Sequence, residues 1–344
     1  MARRSVYKEP MPLPTPDLSR RHFVAAALAG LPVLATPSRA QPSPPPAPPF
    51  RQPFVYRFKI GRMEAWSISD CDLAFREGLH LMHPESGRGE MRREMIRHGE
   101  SPDSLPLYVN LLVVRSGREI ALFDAGFGEV KNPRMGWLQE GLAAIGIAPE
   151  QVTAAFLSHA HADHLNGFVR DGKPAFPNAA VHLLPEELAF WRTPEPDFSR
   201  SRRDPAGIPG MIREVRANFD ILTSQLQPVN AGSVLFNGSV TIEAAPGHTA
   251  GHACFRLRSD GQELLHLMDL AHHHLLMFAR PEWNISFDHD PDQAIQSRKC
   301  YWADASAKHT RCYGFHLPWP GLGRIIQQSP DEYTWAAEPW QWQG

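Results

Sequence analysis

Apolar residues along the chain fall into short runs separated by polar, glycine-containing stretches, which is the pattern of strands joined by turns. Residues 54–70 alternate apolar and polar side chains around Gly61 and Arg62, and this alternation predicts a hairpin. Further apolar runs, some nearly continuous, predict additional strands at residues 105–114, 119–124, 152–157, 181–184, 233–236, 240–245, 253–257, 263–268 and 312–316.

Helical patterns occur at residues 137–145, 185–191 and 292–308. Residues 71–103 are mixed and charged, and we expect them to form an excursion over the sheet. Residues 192–206 are polar and rich in proline, which predicts a surface loop. Strand-rich halves separated by helices therefore predict an α+β fold with two mixed sheets and helices outside them.

The start of the chain has the features of an export signal. Arg20 and Arg21 precede an apolar run at residues 24–34, and small residues suitable for cleavage lie at 38–40. We therefore predict a twin-arginine signal peptide over residues 1–40 and a periplasmic or secreted protein. The alternative, an amphipathic first helix, is disfavoured by the glycine and prolines within this stretch.

A proline-rich segment at residues 41–53 predicts a stiff linker, so that one folded domain occupies residues 54–344. The net charge is -2, and no dense run of Lys and Arg occurs beyond the N-terminus, which excludes a nucleic acid as partner. No apolar run reaches the ~18 residues of a membrane span. These properties favour a small-molecule ligand. A homodimer and a disulfide between Cys300 and Cys312 are left open.

The densest candidate chemistry follows the predicted strand at residues 152–157. There the chain places His159, His161, Asp163 and His164 within six positions. Residues i and i+2 of an extended backbone point the same way, so the first two imidazoles can bind one ion while the next two residues face a second. Imidazole and carboxylate are ligands of Zn, Mn and Fe(II). A histidine-rich surface loop is the disfavoured alternative.

Three further ligand candidates also follow predicted strands, namely His248, Asp269 and His316. Gly247 permits a tight turn that can direct the imidazole of His248 inward. Alone, each residue has an ordinary explanation as a hydrogen-bonded histidine or a capping aspartate. Together with the first cluster they supply five imidazoles and two carboxylates, which suits two ions that share one bridging carboxylate.

This set of residues, in this order, resembles the metallo-β-lactamase fold superfamily, and Asp124-Ala125-Gly126 is similar to the Asp-x-Gly strand end of that family. The spacing and the tail at residues 316–323 are similar to the branch of methyl parathion hydrolase and related lactonases and arylesterases. True β-lactamases lack the aspartate of the first cluster and usually carry cysteine at the position of Asp269, so that branch matches poorly.

The resemblance implies a four-layer αβ/βα sandwich that binds two divalent ions per chain, zinc first, with manganese, cobalt or iron as alternatives. It implies that Asp124 accepts a hydrogen bond that orients the histidine loop, and His252 is a further candidate for such a role, with a plain core histidine as the alternative. It also assigns the ligands: His159, His161 and His248 to the first ion, Asp163, His164 and His316 to the second, and Asp269 as the bridge.

Such a centre would use a metal-bridging hydroxide as nucleophile, with Asp163 and Asp269 as the catalytic carboxylates. Phe127, Trp191 and His272 are the candidates for the substrate pocket. Because no cluster of Lys or Arg marks a charged substrate, we expect neutral esters, namely lactones, aryl esters and organophosphate triesters such as methyl parathion. A β-lactam hydrolase of the same fold and a non-catalytic periplasmic zinc-binding protein are the alternatives.

Replacing Arg20 and Arg21 together by lysine should leave uncleaved protein in the cytoplasm, because the export route requires both guanidinium groups. Fractionation of cells followed by mass measurement of the protein tests this, and the expected mature chain begins near Gln41. Normal periplasmic processing of the double variant would rule the route out.

Overall fold

Two seven-stranded mixed sheets dominate the computed structural model, which describes residues 55–341. The predicted signal peptide and linker lie outside the described residues. Strands of the first part are β1 Val55–Ile60, β2 Met63–Ser69, β3 Leu73–Arg76, β4 Met82–His83, β5 Ser104–Leu107, β6 Asn110–Ser116, β7 Glu119–Phe123, β8 Ala154–Phe156, β9 Val169–Arg170, β10 Lys173–Pro174, β11 Ala180–Leu183 and β12 Leu226–Pro228. Those of the second part are β13 Val234–Leu235, β14 Val240–Ala244, β15 Ala253–Ser259, β16 Gln262–His266, β17 Asn284–Ile285, β18 Arg311–Tyr313, β19 Leu322–Ser329 and β20 Glu332–Ala337.

Helices connect these strands, and the three that the sequence predicted lie close to their predicted positions. The helix predicted at 292–308 spans Pro291–Ala307 and begins at the N-cap Asp290, whose carboxylate accepts the backbone N–H of Gln293. The α-helices are α1 Arg88–Arg97, α2 Leu138–Ala144, α3 Ala162–Leu165, α4 Pro185–Arg192, α5 Ile208–Ile221, α6 Leu276–Ala279 and α7 Pro291–Ala307. The 3-10 turns are Gly78–Leu81, Glu85–Gly87, Pro149–Gln151, Asn166–Phe168 and Met268–Leu270.

Both large sheets are mixed, as the sequence predicted. The first has the order β1-β2-β6-β7-β8-β11-β12, with antiparallel pairs up to β7 and parallel pairs beyond it. The second has the order β13-β14-β15-β16-β18-β19-β20, and only β16 and β18 pair in parallel. Consequently β7 and β8 end at one edge of the first sheet, and β14, β16 and β18 end at one edge of the second.

Three aromatic rings join the two sheets in the buried core. Phe123 and Phe156 of the first sheet stack with ring centroids 4.9 Å apart. Phe255 of β15 meets them edge to face at 5.3 and 5.6 Å. All three side chains are fully buried, so the sheets are held face to face directly behind the strand ends that carry the polar cluster.

The prediction of a single strand at residues 105–114 is wrong. The chain forms β5 and β6 instead, and β5 pairs with β3 in a separate two-stranded sheet. The interruption has a polar cause, because the side-chain amide of Asn110 donates to the carbonyl oxygens of Gly314 (3.0 Å) and Leu317 (2.7 Å). These bonds fix the start of β6 against the loop that carries His316.

Helix α5 was not predicted, although its periodic pattern is present in the sequence. Apolar residues recur on one side of the helix at Met211, Ile212, Val215 and Phe219, and the last two are buried.

All four cysteines are free thiols, with Cys300 exposed and the other three buried. Within residues 55–341, no helix has both the length and the apolar character that a membrane span requires.

Replacing Phe255 by alanine should lower the free energy of unfolding by about 3 to 5 kcal/mol, because it leaves a cavity between the two sheets. Val234→Ala is the matched control, since Val234 is 58% exposed and should change stability by less than about 0.5 kcal/mol. Urea denaturation of the metal-saturated protein measures both. Equal stabilities of the two variants would show that this contact does not hold the sheets together.

Candidate metal centre

Histidine and aspartate side chains from the ends of both sheets converge on one buried cluster. All seven predicted ligands take part, and the structure sorts them into two groups whose ligand atoms lie within 4.8 Å of one another. The groups are His159, His161, His248 and Asp269, and Asp163, His164 and His316. The structure thus brings together the residues that the sequence singled out, and their role as ligands stays a prediction.

In the first group three ring nitrogens face one point. His161 Nδ1 lies 2.8 Å from His159 Nε2 and 2.9 Å from His248 Nε2. Gly247 has φ 125° and lies so close to helix α7 that a Cβ there would be 2.0 Å from the backbone nitrogen of Ala294. The turn that delivers His248 therefore requires glycine.

Asp269 faces both groups. Its Oδ2 lies 3.1 Å from His248 Nε2 and 3.2 Å from His316 Nε2, and its Oδ1 lies 3.2 Å from His164 Nε2. Asp163 completes the second group, with Oδ2 3.7 Å from His164 Nε2 and 3.5 Å from His316 Nε2. Asp269, which contacts both groups, thus has the position that a bridging carboxylate would occupy.

Oxygen acceptors orient four of the five imidazoles. Each ring places Nδ1 against its oxygen partner, and in the neutral tautomer that donates through Nδ1 the Nε2 lone pair is directed at the centre. The pairs are His159 with Ser158 Oγ (3.0 Å), His164 with Asp124 Oδ2 (2.6 Å), His248 with Asp288 Oδ1 (2.8 Å) and His316 with the Tyr108 carbonyl (2.6 Å). The fifth ring, His161, is reversed and presents Nδ1.

Asp124, expected to orient the histidine loop, accepts the backbone N–H of Ser158 at 2.8 Å and its hydroxyl at 2.6 Å. Its backbone φ of 55° is held by these bonds and by His164. His252 accepts the backbone N–H of Asp269 at 3.1 Å through Nε2 and donates through Nδ1 to the Ala245 carbonyl. Both residues therefore position the candidate ligands.

Sequence reasoning missed Glu187, which is fully buried in helix α4. Its carboxylate accepts four hydrogen bonds, from Ala160 N (2.8 Å), Trp191 Nε1 (2.7 Å), Thr249 Oγ1 (2.6 Å) and Gly251 N (3.0 Å). Burial raises the pKa of Glu187, and these donors oppose that shift. The carboxylate thereby links the loop that carries His159 and His161 to the loop that carries His248.

The expectation that Trp191 lines the substrate pocket is wrong. Its ring is fully buried, packs against Phe190 and Phe198, and donates its N–H to Glu187.

Phe127 and His272, the other two residues predicted for the substrate pocket, do line the cavity beside the cluster. This cavity has a volume of about 550 Å³ and is lined by Leu73, Phe75, Leu107, Phe127, Met135, His161, Ala162, Asp163, Arg203, Gly207, Met211, Glu214, His248, Asp269, His272, Phe287 and His316.

Arg203 is a cation that the sequence did not place in the pocket, because it belongs to the predicted surface loop at 192–206. Its Nη2 lies 2.7 Å from His161 Nε2, and its guanidinium stacks on Phe287 with Cζ 5.1 Å from the ring centroid. Burial lowers the pKa of Arg203 to about 10, so the group is charged at neutral pH.

The donor set fits divalent transition metals. Among the described residues, the buried atoms His164 Nε2 and Asp269 Oδ1 lie 3.2 Å apart without forming a hydrogen bond to each other or to any other group, which is costly unless a cation satisfies them. Burial, the largest cause, holds the pKa values of His159 and His161 well below their usual range, so both rings are neutral. Neutral imidazoles and carboxylates are the ligands that zinc, manganese, cobalt and iron accept.

The chain belongs to the metallo-beta-lactamase superfamily, which it matches over residues 105–300. Comparison with curated proteins finds no match. The α+β sandwich with two mixed sheets and outer helices, as predicted, is the fold of this superfamily.

Solved structures of the same fold include lactonases and other hydrolases. AidC, a dizinc quorum-quenching lactonase in complex with a product, is 27% identical, with TM-score 0.80 over 83% of this chain and 98% of that chain. AbOPH, a hydrolase in the beta-lactamase superfamily, is 23% identical, with TM-score 0.77 over 85% and 100%. A probable metal-dependent hydrolase from Staphylococcus aureus is 14% identical, with TM-score 0.64 over 83% and 100%. The last two show the fold alone.

Glu187→Gln should weaken zinc binding about ten- to hundredfold, because the amide turns an N–H toward groups that are themselves donors and releases the two loops. Chelator competition measures the affinity, and circular dichroism confirms that the variant is folded. Glu186→Gln, on the same helix but exposed, is the matched control and should bind zinc like the wild type. Wild-type affinity of Glu187→Gln would show that the carboxylate does not position the ligands.

Proposed function

We propose that this protein is a binuclear metal-dependent hydrolase of neutral esters, with lactones as the first substrate class. Aryl esters and organophosphate triesters are further substrates of the same site. The position of Asp269 carries the proposal, because one carboxylate faces two groups of candidate ligands, as a shared bridge would.

The likeness to AidC supports lactones over other esters. It extends over most of both chains, and that enzyme is a dizinc lactonase. The predicted tail and spacing point to the same group of hydrolases. The β-lactam alternative has less support, since this chain carries Asp163 in the first cluster and an aspartate at position 269.

In this proposal, four residues of the cavity have defined roles in hydrolysis. Bound ions would supply an activated water and a Lewis acid for the ester carbonyl. Asp163 is 18% exposed and borders the cavity, so it can accept the proton of the attacking water and pass it to the leaving oxygen. Phe127, Met135 and Phe287 form apolar walls that hold the acyl part and exclude solvent.

The purified protein should contain about two equivalents of zinc and open lactones, and a chelator should abolish the activity until zinc returns. Metal analysis alongside turnover of dihydrocoumarin, an acyl-homoserine lactone, p-nitrophenyl acetate, methyl paraoxon and nitrocefin tests the proposal. A protein that never exceeds one equivalent would contradict the binuclear centre, and nitrocefin as the best substrate would favour the β-lactam hydrolase.

Asp269→Ala should lose metal and activity more severely than replacement of any single imidazole, because one carboxylate serves both ion positions. The exposed Asp331→Ala is the matched control and should retain both. Undiminished metal content and turnover in Asp269→Ala would show that the bridge is wrongly assigned.

A further inference from the structure

Arg203 brings a positive charge into a cavity whose other walls are largely apolar. Its side chain leaves the loop between α4 and α5, lies flat on Phe287, and ends beside His161. The neighbouring Arg202 points elsewhere: it is exposed and donates to Asn284 Oδ1 at 3.1 Å. Two adjacent arginines of one loop thus have different surroundings, and only Arg203 lines the cavity.

Within residues 55–341, no carboxylate oxygen lies within 4.0 Å of the Arg203 guanidinium. The arginines on the outer surface, by contrast, often pair with aspartate or glutamate, as Arg200 does with Asp290 and Asp292. The carboxylates of Asp163, Asp288 and Asp269 attract this half-buried guanidinium from farther away, but none of them accepts its N–H groups directly. Five N–H donors arranged in a plane match the two oxygens of a carboxylate.

In the cavity, Arg203 contacts the ring of His161. This ring could not accept a hydrogen bond from Arg203 once it binds a metal ion. His161 presents Nδ1 to the other ligand nitrogens, so a neutral ring that binds through Nδ1 carries its proton on Nε2. That proton and the guanidinium N–H groups are all donors, so they cannot bond to each other. Metal loading therefore leaves the donors of Arg203 available to a ligand in the cavity.

We propose that Arg203 is a specificity-determining residue that binds a carboxylate in this cavity. The identity of that carboxylate rests on the proposed function. It is either the carboxylate that hydrolysis of a neutral ester releases when water adds to the carbonyl and the alcohol departs, or an acidic group carried on the acyl side of the ester, which would extend the substrate class beyond neutral esters. The planar guanidinium supplies two parallel hydrogen bonds, and Phe287 fixes its orientation.

The experiment compares zinc-loaded wild type with Arg203→Met, Arg203→Lys and the control Arg202→Met. Methionine keeps the contact with Phe287 but removes the charge. Lysine keeps the charge but lacks the planar set of N–H donors that can form two parallel hydrogen bonds. One arm measures kcat/KM for p-nitrophenyl hemisuccinate against p-nitrophenyl butyrate, which have similar size and differ by one carboxylate. The other arm measures by calorimetry the binding of hexanoate against hexanamide.

Arg203→Met should lower one of the two carboxylate-to-neutral ratios about ten- to hundredfold, with Arg203→Lys in between and Arg202→Met unchanged. A fall confined to the hemisuccinate ratio assigns the carboxylate to the substrate, and a fall in hexanoate binding assigns it to the product. If neither ratio changes in Arg203→Met, the proposal is overturned.

Zinc content provides an independent readout. Arg203→Met should bind zinc at least as tightly as the wild type, because the substitution removes a cation from beside His161. Loss of zinc from this variant would mean that Arg203 holds the metal loop, which overturns a role in carboxylate binding. If the wild type hydrolyses no ester, the proposed function fails, whereas the calorimetric arm still tests Arg203.

Discussion

The candidate centre depends on one buried carboxylate that links two loops from different sheets. Glu187 accepts a hydrogen bond from Ala160, in the loop after β8, and from Thr249 and Gly251, in the loop after β14. Neither loop belongs to regular structure, so the sheets alone do not fix the distance between their imidazoles. The hydrogen bonds that Ala160, Thr249 and Gly251 donate to one buried carboxylate provide that constraint. Asp124 acts similarly within the first loop and Asp288 on His248.

The ligand candidates were predictable from sequence because their signals are local. Each of His159, His248, Asp269 and His316 comes shortly after an apolar run, and both the residue type and the preceding strand can be recognised in a short window. The carboxyl ends of strands that run the same way meet at one edge of a sheet, so such residues converge without further information. The order of strands within each sheet was not needed for this conclusion.

The supporting residues could not be predicted because their partners are distant in sequence. Glu187 resembles an ordinary acidic residue in the first turn of a helix, and nothing nearby indicates that it faces Thr249. Arg203 resembles one of several arginines in a polar loop. The break between β5 and β6 has the same origin, since the bonds from Asn110 reach Gly314, far along the chain. Trp191 was misplaced for the complementary reason: its partner, Glu187, was not recognised.

The ligand loops and the cavity wall differ in how far their residues can be substituted without disturbing the candidate centre. The candidate ligands lie on loops that the buried carboxylates of Glu187, Asp124 and Asp288 hold in place, and altering one of these carboxylates disturbs several hydrogen bonds at once. The wall that faces the substrate comes instead from Phe127, from Arg203 in the loop before α5, and from Met211 in that helix. None of these three residues bonds to Glu187, Asp124 or Asp288, and Arg203 alone of the three reaches a candidate ligand, His161. The residues of this wall can therefore change while the ligand loops keep their hydrogen bonds to these carboxylates, which is how one fold can serve many functions.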